Sequence, residues 1–438
     1  MIGPVAQIPA GNGTSLDLYL LRFGKDGRLE SPQTAELAVA AARAATDVFV
    51  FSHGWNNVYG DALRNYTRFA EGFIAQRAEF QLQVPADYRP VLIGIVWPST
   101  WFVMDSENGP DIAGGDGKAS GEIEAMTAEV TDGWDTGTRG QLLDLVDGVE
   151  LLTEAQARDV AALLLGNWSE DEDGQSTRPD IDNVIDAWKE IDGVETAAGD
   201  DEDEIGVIGG GQSDAAVNAA GGFSLDPRGI LRMASVWKMK DRAGDVGKLG
   251  VGPLLSRIAK PGVRLHLIGH SFGARVMLSA VAHSPVFDSN PVHSLLLLQP
   301  AVNRWCFAQD VAQLGRAAGY AKVPDRVVRP IIATRSTFDQ PLHEVFHHAL
   351  RGDNFGEINA AAVGDTDRYG ALGGYPPQGI RFADQEAKAP GTRYDLGGGE
   401  RVISANGSRV IDGKPMIDGH SDVNSPVTWW ALHNLSGA

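Results

Sequence analysis

The chain has 438 residues, 43% of them hydrophobic, which is enough for one large core or two ordinary domains. Its formal net charge of −21 at pH 7 argues against nucleic acid or an anionic membrane surface as the main partner. The lone cysteine, Cys306, excludes an intrachain disulfide, and no stretch approaches the roughly 18 apolar residues of a membrane span.

The first residues, Met1-Ile2-Gly3-Pro4-Val5-Ala6-Gln7, carry neither a basic n-region nor an apolar run of signal-peptide length. The expectation is a soluble, cytoplasmic protein. Residues 16–21 alternate in polarity and suit an edge strand. Residues 47–51, 91–96, 263–268, 294–298 and 327–333 are short Val/Ile/Leu-rich runs bounded by Gly, Pro, Asn or Ser. Such runs mark strands buried on both faces of a parallel sheet. A last strand is expected near 401–404. Helical patterns fall at 34–45, at 62–80 (where Leu63, Phe69, Phe73 and Ile74 recur near helical spacing), at 274–283 and at 426–435. This alternation predicts an α/β fold with a mostly parallel central sheet flanked by helices.

From residue 101 to about 260 the rhythm breaks. Residues 102–228 hold 31 of the 58 Asp and Glu but only 6 of the 37 Lys and Arg. They read as an acidic inserted cap, with helix-like pieces at 140–165 and 181–191. Between these lie the polar runs Ser169-Glu170-Asp171-Glu172-Asp173-Gly174 and Gly199-Asp200-Asp201-Glu202-Asp203-Glu204. Residues 209–222 are rich in Gly and Ala and are expected to be mobile, and 229–259 should return to the sheet as helices. The expected division is 1–101 with 229–438 as one domain, and 102–228 as a second, partly mobile one.

The strongest chemical signal is Gly269-His270-Ser271-Phe272-Gly273, set between an apolar strand and a helix. A serine in so tight a turn is pushed out at the carboxyl end of the sheet. The flanking glycines avoid collisions with the neighbouring strand and helix, and the helix N-terminus favours negative charge as it develops. A plain glycine-rich turn is the bland alternative. The second signal, Ser52-His53-Gly54-Trp55-Asn56-Asn57, also follows an apolar strand. Acyl transfer needs two N–H donors for an oxyanion. The backbone amides of Phe272 and Trp55 are the candidates.

Together, His53-Gly54-Trp55 and Leu267-Ile268-Gly269-His270-Ser271-Phe272-Gly273-Ala274-Arg275 resemble the α/β-hydrolase superfamily, over roughly residues 15–100 and 230–438. The resemblance implies the chain order serine, acid, histidine. It puts the acid after the second strand beyond the nucleophile, where Asp339 stands, and the base near the C-terminus, where His420 lies in a polar turn. Asp339 has a competing reading as a helix N-cap ahead of Pro341 and Leu342. Asp353 and Asp365 are weaker rivals for the acid, and His433 reads as a packed or surface residue. The implied activity is a serine esterase acting on a small-molecule ester, with no cofactor and no metal. A serine peptidase, amidase or thioesterase would use the same groups, and a hydrolase fold kept only for binding would share the motifs.

A rival motif, His343-Glu344-Val345-Phe346-His347, matches the zinc signature H-E-x-x-H. The longer pattern fails at its expected Gly and His, where Leu350 and Asp353 stand. Glu357 and Glu386 are the remaining candidates for a third ligand. The acidic run at 171–174 lacks the spacing of a calcium-binding EF-hand loop. Because the insert leaves the sheet after Val96-Trp97-Pro98, it is expected to act as a lid that disfavours strongly anionic substrates. Trp97, Trp101, Phe102 and Met104 would then form an apolar entrance or pack the insert onto the body.

Overall fold

Eleven short strands and a set of helices arise among the described residues of this computed structural model, which are all except 1, 12, 56, 58, 100–117, 168–180, 183, 187, 189–225, 312–314, 347–369 and 438. The sheet strands are β1 (Ala6–Gly11), β2 (Thr14–Arg22), β3 (Asp47–Ser52), β4 (Pro90–Val96), β5 (Arg264–His270), β6 (Ser294–Leu298), β7 (Ile331–Arg335), β8 (Ala383–Glu386) and β9 (Val402–Asn406). They form one sheet in the order β1-β2-β4-β3-β5-β6-β7-β9-β8. Only the β1–β2 pair is antiparallel. In β3, β4 and β6 every residue is buried, as strands covered on both faces must be. The remaining two, β10 (Val410–Ile411) and β11 (Lys414–Pro415), make a small hairpin.

The helices are α1 (Pro32–Ala44), α2 (Tyr59–Glu79), α3 (Lys118–Val130), α4 (Thr136–Val146), α5 (Glu154–Gly166), α6 (Pro227–Asp245), α7 (Gly252–Ile258), α8 (Phe272–Ala282) and α9 (Pro426–Ser436), with a π-helical stretch, Val246–Val251, joining α6 to α7. The chain divides into two compact units. Met1–Ser99, Lys240–His343 and Gly370–Ala438 form the first, which contains the sheet. Thr100–Met239 and Glu344–Tyr369 form the second, with α3, α4, α5 and most of α6. The core of the first unit packs Tyr66, Phe69 and Phe73 of α2 and Ala431, Leu432 and Leu435 of α9 against Phe49 and Phe51 of β3. In the second unit Leu142, Val146, Val160, Ala161 and Leu164 are buried along α4 and α5. Among the described residues no helix is long and apolar enough to cross a membrane.

Several sequence expectations need correction. The strand at 16–21 is internal: β1, with its Ile-Pro-Ala stretch, takes the edge by folding back on β2. The run at 327–333 enters the sheet only from Ile331. Val327 makes an isolated bridge to Val292, and Pro330 has no N–H to offer a ladder. The helix expected over 140–165 is two helices. Gly148 (φ +70°) ends the first turn of chain beyond α4, and Thr153 with Gln156 builds a capping box that starts α5. Strand β8 was not anticipated, because Ala-Asp-Gln-Glu has no apolar run to reveal it. Of the helix expected at 181–191, residues 181, 182, 184–186 and 188 are helical and the others lie outside the described residues.

Parallel register then sets up the site. Ser52 pairs with Gly269, and His270 with Leu298. The turns that follow β3, β5 and β6 therefore emerge together at one carboxyl edge.

Candidate active site

Ser271 sits at the turn between β5 and α8 with φ 53° and ψ −124°, a left-handed conformation that a non-glycine residue adopts only where its surroundings impose it. Its amide donates to Leu298 O (3.1 Å), and its carbonyl accepts from Ala274 N (3.0 Å) and Ala301 N (3.2 Å). The glycines around it are sterically required. A Cβ on Gly273 would lie 2.1 Å from Ser52 O, and one on Gly269 would lie 2.6 Å from Gly273 O. A Cβ on Gly54 would lie 2.5 Å from the Ser271 Cβ, so the His-Gly turn after β3 rests directly on the serine.

Three side chains from distant parts of the sequence meet here. His420 Nε2 is 2.9 Å from Ser271 Oγ, and His420 Nδ1 is 2.9 Å from Asp339 Oδ2. Asp339 is fully buried. Its other oxygen, Oδ1, accepts from Leu342 N (3.1 Å). The N-cap and the imidazole partner, which compete as readings of the sequence, are therefore both present, one on each oxygen. With Nδ1–H donating to Asp339, Nε2 is the acceptor that faces the serine hydroxyl.

The turn that carries Trp55 is held from several sides. His53 N donates to Tyr66 Oη (2.8 Å), and Tyr66 Oη donates to Ile95 O (2.7 Å). His53 Nδ1 donates to Gly54 O (2.8 Å), while Trp97 stacks on the His53 ring and donates its indole N–H to His53 O (3.1 Å). Burial pushes the His53 imidazole down to about 4, which keeps it neutral. Asn57 N donates to Ser99 Oγ (3.2 Å), and Asn57 Nδ2 donates to Trp55 O (2.9 Å). Phe272 is the first residue of α8, so its amide belongs to the helix's opening turn, which has no intrahelical acceptors. Of the two expected donor residues, Phe272 directly follows Ser271, and Trp55 follows Gly54, whose Cα abuts the Ser271 side chain.

Sequence reasoning missed the residues that hold the His420 turn. His270 Nε2 donates to His420 O (2.8 Å), and Ser336 Oγ donates to Ile417 O (2.8 Å). Gln299, just past β6, donates from Nε2 to Gly419 O (3.1 Å) and to Asp422 O (3.2 Å). No local signal in the sequence marks Gln299, because its partners lie 120 and 123 residues away.

A second chain of the same residue types lies at the opposite, amino end of the sheet. Ser294 Oγ is 2.8 Å from His266 Nδ1, and His266 Nε2 is 3.1 Å from Asp47 Oδ1. All three are fully buried, and Asp47 also pairs with Arg264 (2.7 Å) and accepts from Thr46 Oγ1 (2.8 Å). Burial works to raise the Asp47 carboxyl, but these hydrogen bonds hold it below the usual carboxylate range. Ser294 starts a regular strand, so this trio lacks the positive-φ turn and the adjoining helix that distinguish Ser271. It is a buried polar tie among β3, β5 and β6. A cavity of about 340 Å³ near it, lined by His293, Arg329, Pro330, Leu396 and Arg401 among others, contains no nucleophile beside a base.

His433 is buried, stacked on Phe73 at 4.1 Å, with Nε2 on Phe73 O at 3.0 Å. In the zinc-like motif, His343 stacks on Tyr375 and its Nδ1 lies 3.3 Å from Gly374 O, within the π-helical turn Pro341–Val345. His347 lies outside the described residues, as do Asp353, Asp365, Glu357, Trp101, Phe102, Met104, both acidic runs and the Gly/Ala-rich stretch. Glu386 is on β8, paired with Arg409 at 2.8 Å. Among the described residues no group of three His, Cys, Asp or Glu is arranged to hold a metal ion. Cys306 is buried, and burial pushes its thiol up, away from the reactive thiolate. Comparison with protein families, curated proteins and solved structures gives no match for the chain.

Proposed function

We propose that this protein is a serine hydrolase of the α/β-hydrolase type, cleaving a small carboxylic ester by two-step acyl transfer. The observation that carries the reading is the hydrogen-bonded chain Asp339–His420–Ser271, ending on a serine held at φ 53°. The mostly parallel sheet, with this serine at the end of the central strand β5, is compatible with that fold.

In the proposed reaction His420 Nε2 takes the Ser271 proton as Oγ bonds to the carbonyl carbon. The carbonyl π pair moves onto oxygen, where the amides of Phe272 and Trp55 receive it. Asp339, accepting from Nδ1–H, stabilises the imidazolium that results. The C–O bond to the alcohol then breaks, the leaving oxygen takes the proton from Nε2, and the acyl group stays on Ser271. Water follows the same path in reverse order: His420 deprotonates it, it adds to the acyl carbon, and Ser271 leaves with its proton restored. Besides the ester and water, each step uses only side chains and amides of this chain.

The choice of esters follows from the resemblance noted in the sequence. Thioesters and amides would pass through the same groups. The test is turnover of a panel of nitrophenyl esters, thioesters and anilides of increasing acyl length, by wild type and Ser271→Ala, with and without a zinc chelator. Ester turnover that is chelator-insensitive and absent from Ser271→Ala supports the reading. Turnover that survives in Ser271→Ala overturns it.

A further inference from the structure

The turn that carries His420 is tied by bonds of its own and by side chains that reach it from the sheet edge. Gly419 takes φ 135°, and bonds within the turn include Asp418 N to Asp422 Oδ2 (3.1 Å), Asp422 N to Gly419 O (3.4 Å) and Val423 N to Ser421 O (2.7 Å). What reaches it from the sheet is unusual. Gln299 is fully buried and sits at φ 37°, again left-handed for a residue with a side chain. Both protons of its carboxamide go to carbonyls on either side of His420, those of Gly419 and Asp422. Its Oε1 accepts from Thr334 Oγ1 (3.1 Å), and Thr334 Oγ1 in return accepts the Gln299 backbone N–H (2.9 Å). This network fixes which end of the amide faces the turn, since a flipped carboxamide would set oxygen against two carbonyls. The bond from His270 to the carbonyl of His420 itself completes a three-point hold, and burial keeps the His270 imidazole neutral, at about 3.

Resting on the serine-hydrolase reading, we infer that Gln299 and His270 are the positioning residues of this site. They clamp the backbone at 419, 420 and 422 so that His420 Nε2 stays within reach of Ser271 Oγ. Gln299 makes these bonds from a left-handed backbone directly after Leu298, whose carbonyl accepts the Ser271 amide.

The clamp touches no substrate, so its loss should appear in kcat and not in KM. Gln299→Met keeps the length of the side chain and removes both donors. His270→Phe keeps a ring and removes the third. Each should lower kcat, and the rate of labelling by a fluorophosphonate, by about 10²-fold, the scale expected of a misplaced catalytic group, with KM unchanged. His270→Gln, which restores an N–H donor, should recover part of the loss. Thermal unfolding of each variant tells a displaced base from a lost fold. Unchanged kcat in folded Gln299→Met and His270→Phe, or an equal rise in KM, overturns the clamp while leaving the hydrolase reading intact. Failure of both to fold assigns the pair to the core and overturns it equally. If wild type itself neither turns over esters nor takes the label, the underlying reading has failed instead.

Discussion

The two oxygens of Asp339 do different work, and a single-atom change separates them. Asn at 339 has one carbonyl oxygen and one NH2. Its oxygen must remain toward Leu342 N, because the reverse orientation would set donor against donor at 3.1 Å. The NH2 then faces His420 Nδ1 at the present carboxylate distance of 2.9 Å and forces that nitrogen to accept. The proton moves to Nε2, which now points a hydrogen at Ser271 Oγ and cannot take one from it. The expected loss in kcat is about 10⁴-fold, equivalent to about 5 kcal/mol of transition-state stabilisation. Because the cap is kept, unfolding stability should change by less than about 1 kcal/mol, whereas Asp339→Ala should lose the cap as well and cost about 1 kcal/mol more. Ester turnover and urea unfolding measured on the same preparations read both quantities. Turnover of Asp339→Asn within a few-fold of wild type would refute the assigned tautomer and with it the role given to His420.

Gly54→Ala should strike activity harder than stability, since its new Cβ would press on the Ser271 Cβ from 2.5 Å; a variant with wild-type kcat would show that the His-Gly turn does not abut the nucleophile. Gly273→Ala meets backbone oxygen at 2.1 Å and should cost about 1–3 kcal/mol of stability or more, read as a lowered urea midpoint. Stability should also fall with acid. The His53, His270 and His433 imidazoles are buried neutral at about 4, 3 and 3, below their unfolded value near 6.5, so the unfolded chain binds more protons across that window. Their contribution is complete above about pH 6.5 and declines by about 4 kcal/mol per pH unit near pH 5 for the three together. A melting temperature that holds steady from pH 7.5 to 5 would contradict this.

How much of this was legible depended on whether the cause was local. The buried strands were visible because a strand covered on both faces carries a continuous apolar run, as residues 48–51 of β3, 91–96 of β4 and 295–298 of β6 do. The elbow was visible because its glycines are steric necessities within five residues. Strand β8 was hidden because it is a polar edge strand, and β1 because a hairpin partner at the edge need not be apolar on both faces. The split between α4 and α5 could have been read from Asp147-Gly148 and the Thr153-x-x-Gln156 box, but a continuous helical period outweighed those signals. Gln299 was out of reach. Its partners lie 120 and 123 residues away, and neither its backbone conformation nor its side-chain bonds leave a trace in the local sequence. The two readings of Asp339 looked exclusive on paper because a sequence does not show that a carboxylate has two faces to use.

The central claim is that Ser271 is an activated nucleophile. Its most direct test is to treat wild type and Ser271→Ala with a fluorophosphonate probe and locate the adduct by peptide mass. The account predicts one covalent adduct on wild type, carried by the peptide containing Ser271, and none on the variant. A folded wild-type protein that takes no label, or one labelled at another residue, would contradict it.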